Sequence, residues 1–376
     1  MVLEAVEIKG TPQAGLHARQ RLAVVDTDIH HGFADKSDLY PYLSKTHKER
    51  LADYGIGGGG GLYSNNGGRK GGRVDLYDPA HPADSGTTAT IPSRVQEHLL
   101  DPCGIDIAIL TGVSVYTASS LPDVEYGSVL CRAFNDYTLE HWIGVDERFR
   151  FAMSICTQDP LGAAREIRRI GPNRKIAAVL MPCPSLRPFG HKFFHPIYEA
   201  CAEQGLPIAL HFGGEGSGIM PPPTAAGFPT NYIEGRQARP SFYQVHLASF
   251  IFEGIFEMHP SLKLALLEGG FGWVPSYRWR LDADWKGLRY QTPWVKKLPS
   301  EYMVEHVRFG SQPMEDPEDP EALMQIVKWM DGDRTLMFAS DYPHWDFDDP
   351  GIAFQGFPPE LRQRIMVDNA RETFRL

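Results

Sequence analysis

Short apolar runs recur along the chain, and from residue 93 onward amphipathic segments separate them. Each run is bounded by glycine, proline or polar residues, which is typical of buried strands. The segments between the runs space their apolar residues three to four apart, which predicts helices. The predicted strands are residues 22–25, 105–110, 150–155, 175–181, 207–211, 262–268, 307–310 and 335–339. The predicted helices are residues 94–101, 123–143, 160–170, 192–204, 241–258, 274–286, 320–330 and 359–374.

Strands that alternate with helices predict a parallel sheet. Eight such repeats in 376 residues predict a closed (β/α)8 TIM barrel. The alternative is an open doubly wound sheet, which would need a glycine-rich phosphate turn after the first strand. Asp-Thr-Asp-Ile-His-His, residues 26–31, stands there instead. We expect one barrel domain over residues 21–376, preceded by an N-terminal extension, residues 1–20, with insertions at about residues 32–92 and 213–240.

The overall composition narrows the class of protein. A net charge of -10 argues against a nucleic-acid binder. No apolar stretch reaches the roughly 18 residues that a membrane span needs, and the first ten residues lack the apolar core of a signal peptide. The five cysteines lack the paired spacing of a zinc ribbon or a disulfide framework. We therefore expect a cytoplasmic protein with reduced thiols that acts on a small molecule.

Two segments are too long to be simple barrel connections. One is the glycine-rich loop, residues 57–73, which contains five consecutive glycines and lacks the Gly-Lys-Ser/Thr ending of a phosphate loop. The other is a proline- and glycine-rich arm, residues 213–240. We expect at least one of them to pack on a neighbouring subunit, which would give a homodimer or a larger closed oligomer.

Polar residues with metal-ligand chemistry follow four of the eight apolar runs. In a (β/α)8 barrel the chemistry lies at the C-terminal ends of the strands, so these residues would meet at one face. They are Asp26, Asp28 and His30 after the first run, His211 after the fifth, Glu268 after the sixth, and Asp341 with His344 after the eighth. Carboxylates and imidazoles that converge in this way predict a divalent-metal site.

Four segments carry a resemblance to a known family: residues 25–30, 207–211, 256–270 and 338–344. Through them the chain resembles the amidohydrolase superfamily, in the "amidohydrolase 2" branch that includes aminocarboxymuconate-semialdehyde decarboxylase. The resemblance implies a TIM barrel with one bound Zn²⁺ or Mn²⁺. Carried over position by position, the implied metal ligands are Asp28, His30, His211 and Asp341.

Two positions depart from the family pattern. The first ligand is His in many members and Glu in some decarboxylases, whereas this chain has Asp28, a shorter and harder oxygen donor that favours Mn²⁺ over Zn²⁺. Many members also place an acid-base His before the Gly-Gly that follows the sixth strand, and this chain has Glu268 there. Glu268 is expected to transfer a proton, to be a further ligand, or to hold a water or an arginine.

The resulting hypothesis is a metal-dependent hydrolase that acts on a small cyclic or aromatic substrate through a metal-activated water. Asp341, Glu268 and His344 are the predicted catalytic residues. The alternative reaction is non-oxidative decarboxylation of an aromatic or enoic acid. An alternative of another class is a barrel without metal that serves as a binding or assembly protein.

Overall fold

Eight parallel strands form one sheet in the order of the chain, each hydrogen-bonded to the next. The structure is a computed structural model that describes residues 23–56, 72–76, 78–80 and 88–376. The strands are β1 Val25–His30, β2 Ile107–Thr111, β3 Phe149–Ser154, β4 Ile176–Pro182, β5 Ile208–His211, β6 Leu264–Leu267, β7 Val307–Gly310 and β8 Leu336–Met337. The predicted N-terminal extension, residues 1–20, and most of the glycine-rich loop, residues 57–73, lie outside the described residues.

The chain after β8 returns to β1 and nearly closes the sheet. The amide of His30 donates to the carbonyl of Tyr342 at 2.8 Å, and the amide of Asp341 donates to the carbonyl of Asp28 at 3.1 Å. Helices lie between the strands, so the predicted (β/α)8 barrel is confirmed.

The predicted bounds of the first strand, residues 22–25, were wrong. β1 covers Val25–His30, so the polar residues belong to the strand itself. The side chain of Asp26 accepts hydrogen bonds from the amides of Asp28 and Ser340 at 3.2 and 3.0 Å. Because the chain after β8 supplies one of these donors, a buried carboxylate is tolerated where the sequence pattern indicated a loop.

Helices form the outer layer of the barrel, and most predicted helices are present with shifted ends. The α-helices are α1 Lys45–Tyr54, α2 Pro92–Val95, α3 Asp101–Cys103, α4 Val124–His141, α5 Pro160–Ile170, α6 His195–Gln204, α7 Tyr232–Arg236, α8 Arg239–Phe252, α9 Ile255–Met258, α10 Val274–Leu288, α11 Pro299–His306, α12 Pro320–Trp329, α13 Gly332–Thr335, α14 Pro359–Gln363 and α15 Asn369–Thr373. Five 3-10 helices are Lys36–Tyr42, Val74–Leu76, Val113–Ser120, Lys192–Phe194 and Arg289–Gln291 among the described residues, and π-helical turns cover Gln96–Leu100 and Arg364–Asp368. The sequence pattern did not predict α7, α11 or the helix Val113–Ser120.

Helix α5 illustrates how the local sequence builds this layer. Asp159 is its N-cap and accepts a hydrogen bond from the amide of Gly162 at 2.9 Å, and Pro160 occupies the first turn. Its buried stripe includes Ala163, Ile167 and Ile170, which recur at helical spacing and face the barrel.

The predicted arm, residues 213–240, contains α7 and is tied to the loop that follows β8. Arg236 at the end of α7 forms an ion pair with Asp346. The side-chain amide of Gln312 donates to the carbonyl of Asp346 at 3.2 Å. The arm therefore lies beside the C-terminal ends of the strands. Within the described part of the chain, no helix is both long and apolar enough to cross a membrane.

Candidate metal centre

Strands β1 and β5 and the turn after β8 bring the four predicted metal ligands together. The Nε2 atoms of His30 and His211 lie 3.1 Å apart. Asp28 places Oδ2 2.9 Å from Nε2 of His211 and Oδ1 3.4 Å from Nε2 of His30. Oδ1 of Asp341 lies 3.1 Å from the same nitrogen of His30. All four side chains are buried, at 1% exposure or less.

Neighbouring groups orient two of these side chains. Nδ1 of His211 donates to the carbonyl of Phe212 at 2.6 Å, which leaves the lone pair of Nε2 directed at the cluster. The hydroxyl of Thr111, at the end of β2, donates to Oδ1 of Asp28 at 2.5 Å. The shorter Asp28 side chain therefore reaches the cluster and is held there.

The donor atoms of Asp28, His30 and His211 lie close enough together to hold one divalent ion, Zn²⁺ or Mn²⁺. Asp341 belongs to a second group of donor atoms, with His30 and His344, so His30 links the two groups. Ligand atoms about 2.0–2.3 Å from one ion lie roughly 3–4 Å from each other, which is the spacing seen between these nitrogen and oxygen atoms. Oδ1 of Asp341 lies 3.1 Å from Nε2 of His30 and has no hydrogen-bond partner among the described residues. A cation would satisfy the lone pairs of this oxygen.

The Asp28 carboxylate and the two imidazoles interact strongly. Burial opposes a charge on Asp28, but His211 and His30 outweigh it and hold the pKa of Asp28 well below its usual value. Burial also opposes a charge on His211, yet Asp28 raises the pKa of His211 to about 9. Each shift therefore reflects the close approach of a carboxylate and an imidazole in a buried site.

His344 joins the cluster through Asp341. Its Nδ1 donates to Oδ2 of Asp341 at 2.8 Å, and its ring centre lies 4.2 Å from that of His30. With a side chain that is 16% exposed, His344 is more accessible than either residue. Asp341 thus has one oxygen toward the metal position and one toward His344, as its predicted double role requires.

Glu268 is engaged by an arginine that the sequence analysis did not single out. Oε1 of Glu268 lies 2.6 Å from Nη1 of Arg239, and Oε2 lies 3.5 Å from Nδ1 of His211. Both residues of the ion pair are buried, at 3% and 4% exposure. Of the roles considered for Glu268, the structure supports the one in which it holds an arginine. Arg239 begins α8 directly after the arm, a position that sequence periodicity does not mark.

Asp26 in β1 and His31, which directly follows β1, lie outside the cluster. Burial raises the pKa of Asp26 to about 7, and this side chain binds backbone amides rather than the metal position. Nε2 of His31 lies 2.9 Å from the hydroxyl of Thr138, and its ring packs against Trp142 in the helical layer. Because successive side chains of a strand point to opposite faces, His30 enters the site and His31 does not.

The chain matches the model of a known protein family and a characterised relative. The model of the amidohydrolase family matches residues 95–376. The chain is 23% identical over 304 residues to the gamma-resorcylate decarboxylase of Polaromonas sp. (strain JS666 / ATCC BAA-500), covering 74% of this chain and 86% of that relative.

Solved structures share the fold at low sequence identity. The 5-carboxyvanillate decarboxylase of Sphingomonas paucimobilis superposes with a TM-score of 0.67 at 20% identity, covering 95% of this chain and 99% of that one. The dihydroxybenzoic acid decarboxylase of Polaromonas sp. JS666, solved with bound manganese and the inhibitor 2-nitroresorcinol, gives 0.61 at 18% identity, with 93% and 96% covered. Because the family model spans more than half of its length, the chain belongs to the amidohydrolase family, in the branch that its four sequence segments indicated.

Proposed function

We propose that this protein is a metal-dependent, non-oxidative decarboxylase of a hydroxylated aromatic acid. This is the alternative reaction of the sequence analysis, and it is preferred here to hydrolysis. The similar proteins support it, since they are decarboxylases of gamma-resorcylate, 5-carboxyvanillate and dihydroxybenzoic acid.

The ion pair between Glu268 and Arg239 is the observation that favours decarboxylation over hydrolysis. Hydrolysis would use Glu268 to deprotonate or position a water. One oxygen of Glu268 faces the guanidinium at 2.6 Å and the other faces His211 at 3.5 Å. The ion pair with Arg239 engages Oε1, which disfavours Glu268 as the group that activates a water, whereas decarboxylation needs no water.

Asp341 and His344 are the residues to which we assign proton transfer. In the proposed reaction a proton adds to the ring carbon, the bond from that carbon to the carboxylate breaks, and carbon dioxide leaves. The overall change is one proton consumed and one carbon dioxide released per acid. Asp341 contacts His344 through one oxygen at 2.8 Å, so His344 can return a proton to Asp341 after each turnover.

Asp28, His30, His211 and Asp341 would hold the ion. A divalent ion at this position supplies Lewis-acid charge that stabilises negative oxygens of the acid. The four protein side chains provide two carboxylates and two imidazoles, which leaves coordination positions for oxygen atoms of a ligand.

The test compares carbon dioxide release by wild type and His211→Ala, each stripped with a chelator and reloaded with Mn²⁺ or Zn²⁺. The acids are 2,6-dihydroxybenzoate and 5-carboxyvanillate. We expect wild type to regain activity with metal, and His211→Ala to fold but to bind no metal and release no carbon dioxide. Full metal occupancy in His211→Ala would overturn the ligand assignment. A wild type that holds no metal under any loading would favour the metal-free binding protein.

A further inference from the structure

Tyr116 is a tyrosine beside the metal centre that the sequence pattern does not mark. It lies in the 3-10 helix Val113–Ser120, shortly after β2. Its ring centre is 5.3 Å from that of His211. The ring also packs on the backbone of Gly213, where an added Cβ would lie 2.7 Å from Cδ2 of Tyr116. Gly213 has a φ of +135°, so this close approach depends on glycine.

The hydroxyl of Tyr116 is buried without a protein partner. The residue is 7% exposed, and its oxygen has no hydrogen-bond partner among the described residues. By contrast, the buried hydroxyls of Tyr198 and Tyr243 donate to the carbonyls of Phe189 and Leu267. A buried hydroxyl left unmatched costs about 1–3 kcal/mol, so this one calls for an explanation, and its place beside the metal centre suggests one.

A tyrosine hydroxyl carries its proton at neutral pH and can donate one hydrogen bond. The Tyr116 ring lies beside that of His211, one of the predicted metal ligands. The missing partner of the Tyr116 hydroxyl is an acceptor oxygen, and an aromatic acid at the metal centre would bring one.

We propose that Tyr116 is a substrate-positioning residue whose O–H donates a hydrogen bond to the ring oxygen next to the reacting carboxyl group. This inference rests on the proposed decarboxylase function and adds the feature that selects the substrate. Proton transfer is assigned to Asp341 and His344, so Tyr116 acts by positioning alone.

The variant that tests this is Tyr116→Phe, which removes the hydroxyl alone. Tyr126→Phe is the matched control, because the hydroxyl of Tyr126 is also buried without a partner among the described residues but stacks beneath Arg50, away from the metal centre. Binding is measured by absorbance titration of the Mn²⁺-loaded proteins with 2-nitroresorcinol and with nitrobenzene, which lacks the ring hydroxyls. Turnover of 2,6-dihydroxybenzoate is measured in parallel.

We expect wild type and Tyr126→Phe to bind 2-nitroresorcinol much more tightly than nitrobenzene. In Tyr116→Phe the ratio of the two dissociation constants, the preference, should shrink by about 10–100-fold, which is the loss expected for one hydrogen bond to a charged oxygen. KM for 2,6-dihydroxybenzoate should rise with it. Without ligand, Tyr116→Phe should melt no lower than wild type, since it removes an unmatched hydroxyl.

An unchanged preference in Tyr116→Phe, with turnover retained by wild type, would overturn the role of Tyr116 and leave the proposed function standing. A lower melting temperature with an unchanged preference would also overturn it and indicate a structural hydroxyl. A metal-loaded wild type that neither binds nor decarboxylates these ring compounds would overturn both proposals.

Discussion

Asp341 and Glu268 are two buried carboxylates that share a position near a strand end and a backbone conformation but have different neighbours. Glu268 directly follows β6, and Asp341 lies shortly after β8. Both have a left-handed backbone conformation, with φ of 58° and 61° respectively. Such conformations cost about 1–3 kcal/mol and cluster at functional sites. Among the described residues, Asp341 pairs with the imidazoles of His30 and His344, at 3.1 and 2.8 Å. Glu268 pairs most closely with the guanidinium of Arg239, at 2.6 Å. The comparison teaches that partners, rather than strand-end position, assign the role of a carboxylate.

The largest effect is expected for Asp341→Asn. The amide keeps the shape of the side chain but cannot carry the transferred proton, so carbon dioxide release should fall by about 10²–10⁴-fold or more. Metal content, measured on the same preparation, separates loss of proton transfer from loss of the ion. Turnover near the wild-type rate would remove Asp341 from the proton path.

Glu268→Gln should act on stability more than on turnover. Removing one partner of a buried ion pair leaves Arg239 uncompensated, which costs about 3–5 kcal/mol of unfolding free energy. The matched control is Glu268→Gln combined with Arg239→Met, which removes both charges and should regain much of that loss. Urea unfolding of wild type, Glu268→Gln, Arg239→Met and the double variant measures the coupling free energy between the two residues.

The same variant can break the comparison between the two carboxylates. If Glu268 only holds Arg239, folded and metal-loaded Glu268→Gln should retain most of its turnover. A drop of about 10²–10⁴-fold in turnover, with fold and metal intact, would return Glu268 to an acid-base role and favour hydrolysis.

The smallest effect is expected for Asp348, a third carboxylate, whose side chain accepts from the amide of Met314 at 3.3 Å. Burial raises its pKa to about 7, with Asp346 and Glu315 adding to the effect. The folded state thus binds this proton more tightly than the unfolded state, so stability falls as pH rises from about 4 to about 7. Asp348→Asn should be more stable than wild type above about pH 7, by on the order of 1 kcal/mol, with the difference vanishing toward pH 4. Melting curves of the two proteins measured from about pH 4 to about pH 7 test this. A stability difference that does not change with pH would contradict the raised pKa of Asp348.

Strand-end position predicted most of the residues that meet, because a barrel brings its strand ends to one face. Asp28, His30 and His211 form one group of donor atoms, and His30, Asp341 and His344 form a second that shares His30. Asp26, predicted to face the same side, binds backbone amides instead. The assignment of the two groups as ligands and catalysts stays a prediction, as do the oligomeric state and the compartment.

Arg239 and Tyr116 could not be predicted in this way. They come from the start of α8 and from a 3-10 helix after β2, and neither position has a periodic pattern that points to the site. The limits of β1 were missed for a related reason: one of the two amides that donate to the buried Asp26 belongs to Ser340, which is distant in sequence. Such long-range partners are created by the closed barrel and are not visible in local sequence.

One isotope experiment tests the central claim, decarboxylation rather than hydrolysis, most directly. The Mn²⁺-loaded enzyme is given 2,6-dihydroxybenzoate or 5-carboxyvanillate in D₂O and, separately, in H₂¹⁸O. The account predicts that carbon dioxide is released, that deuterium appears on the ring carbon that carried the carboxyl group, and that no ¹⁸O enters the aromatic product. An aromatic or ring-opened product containing ¹⁸O, without carbon-bound deuterium, would contradict the account.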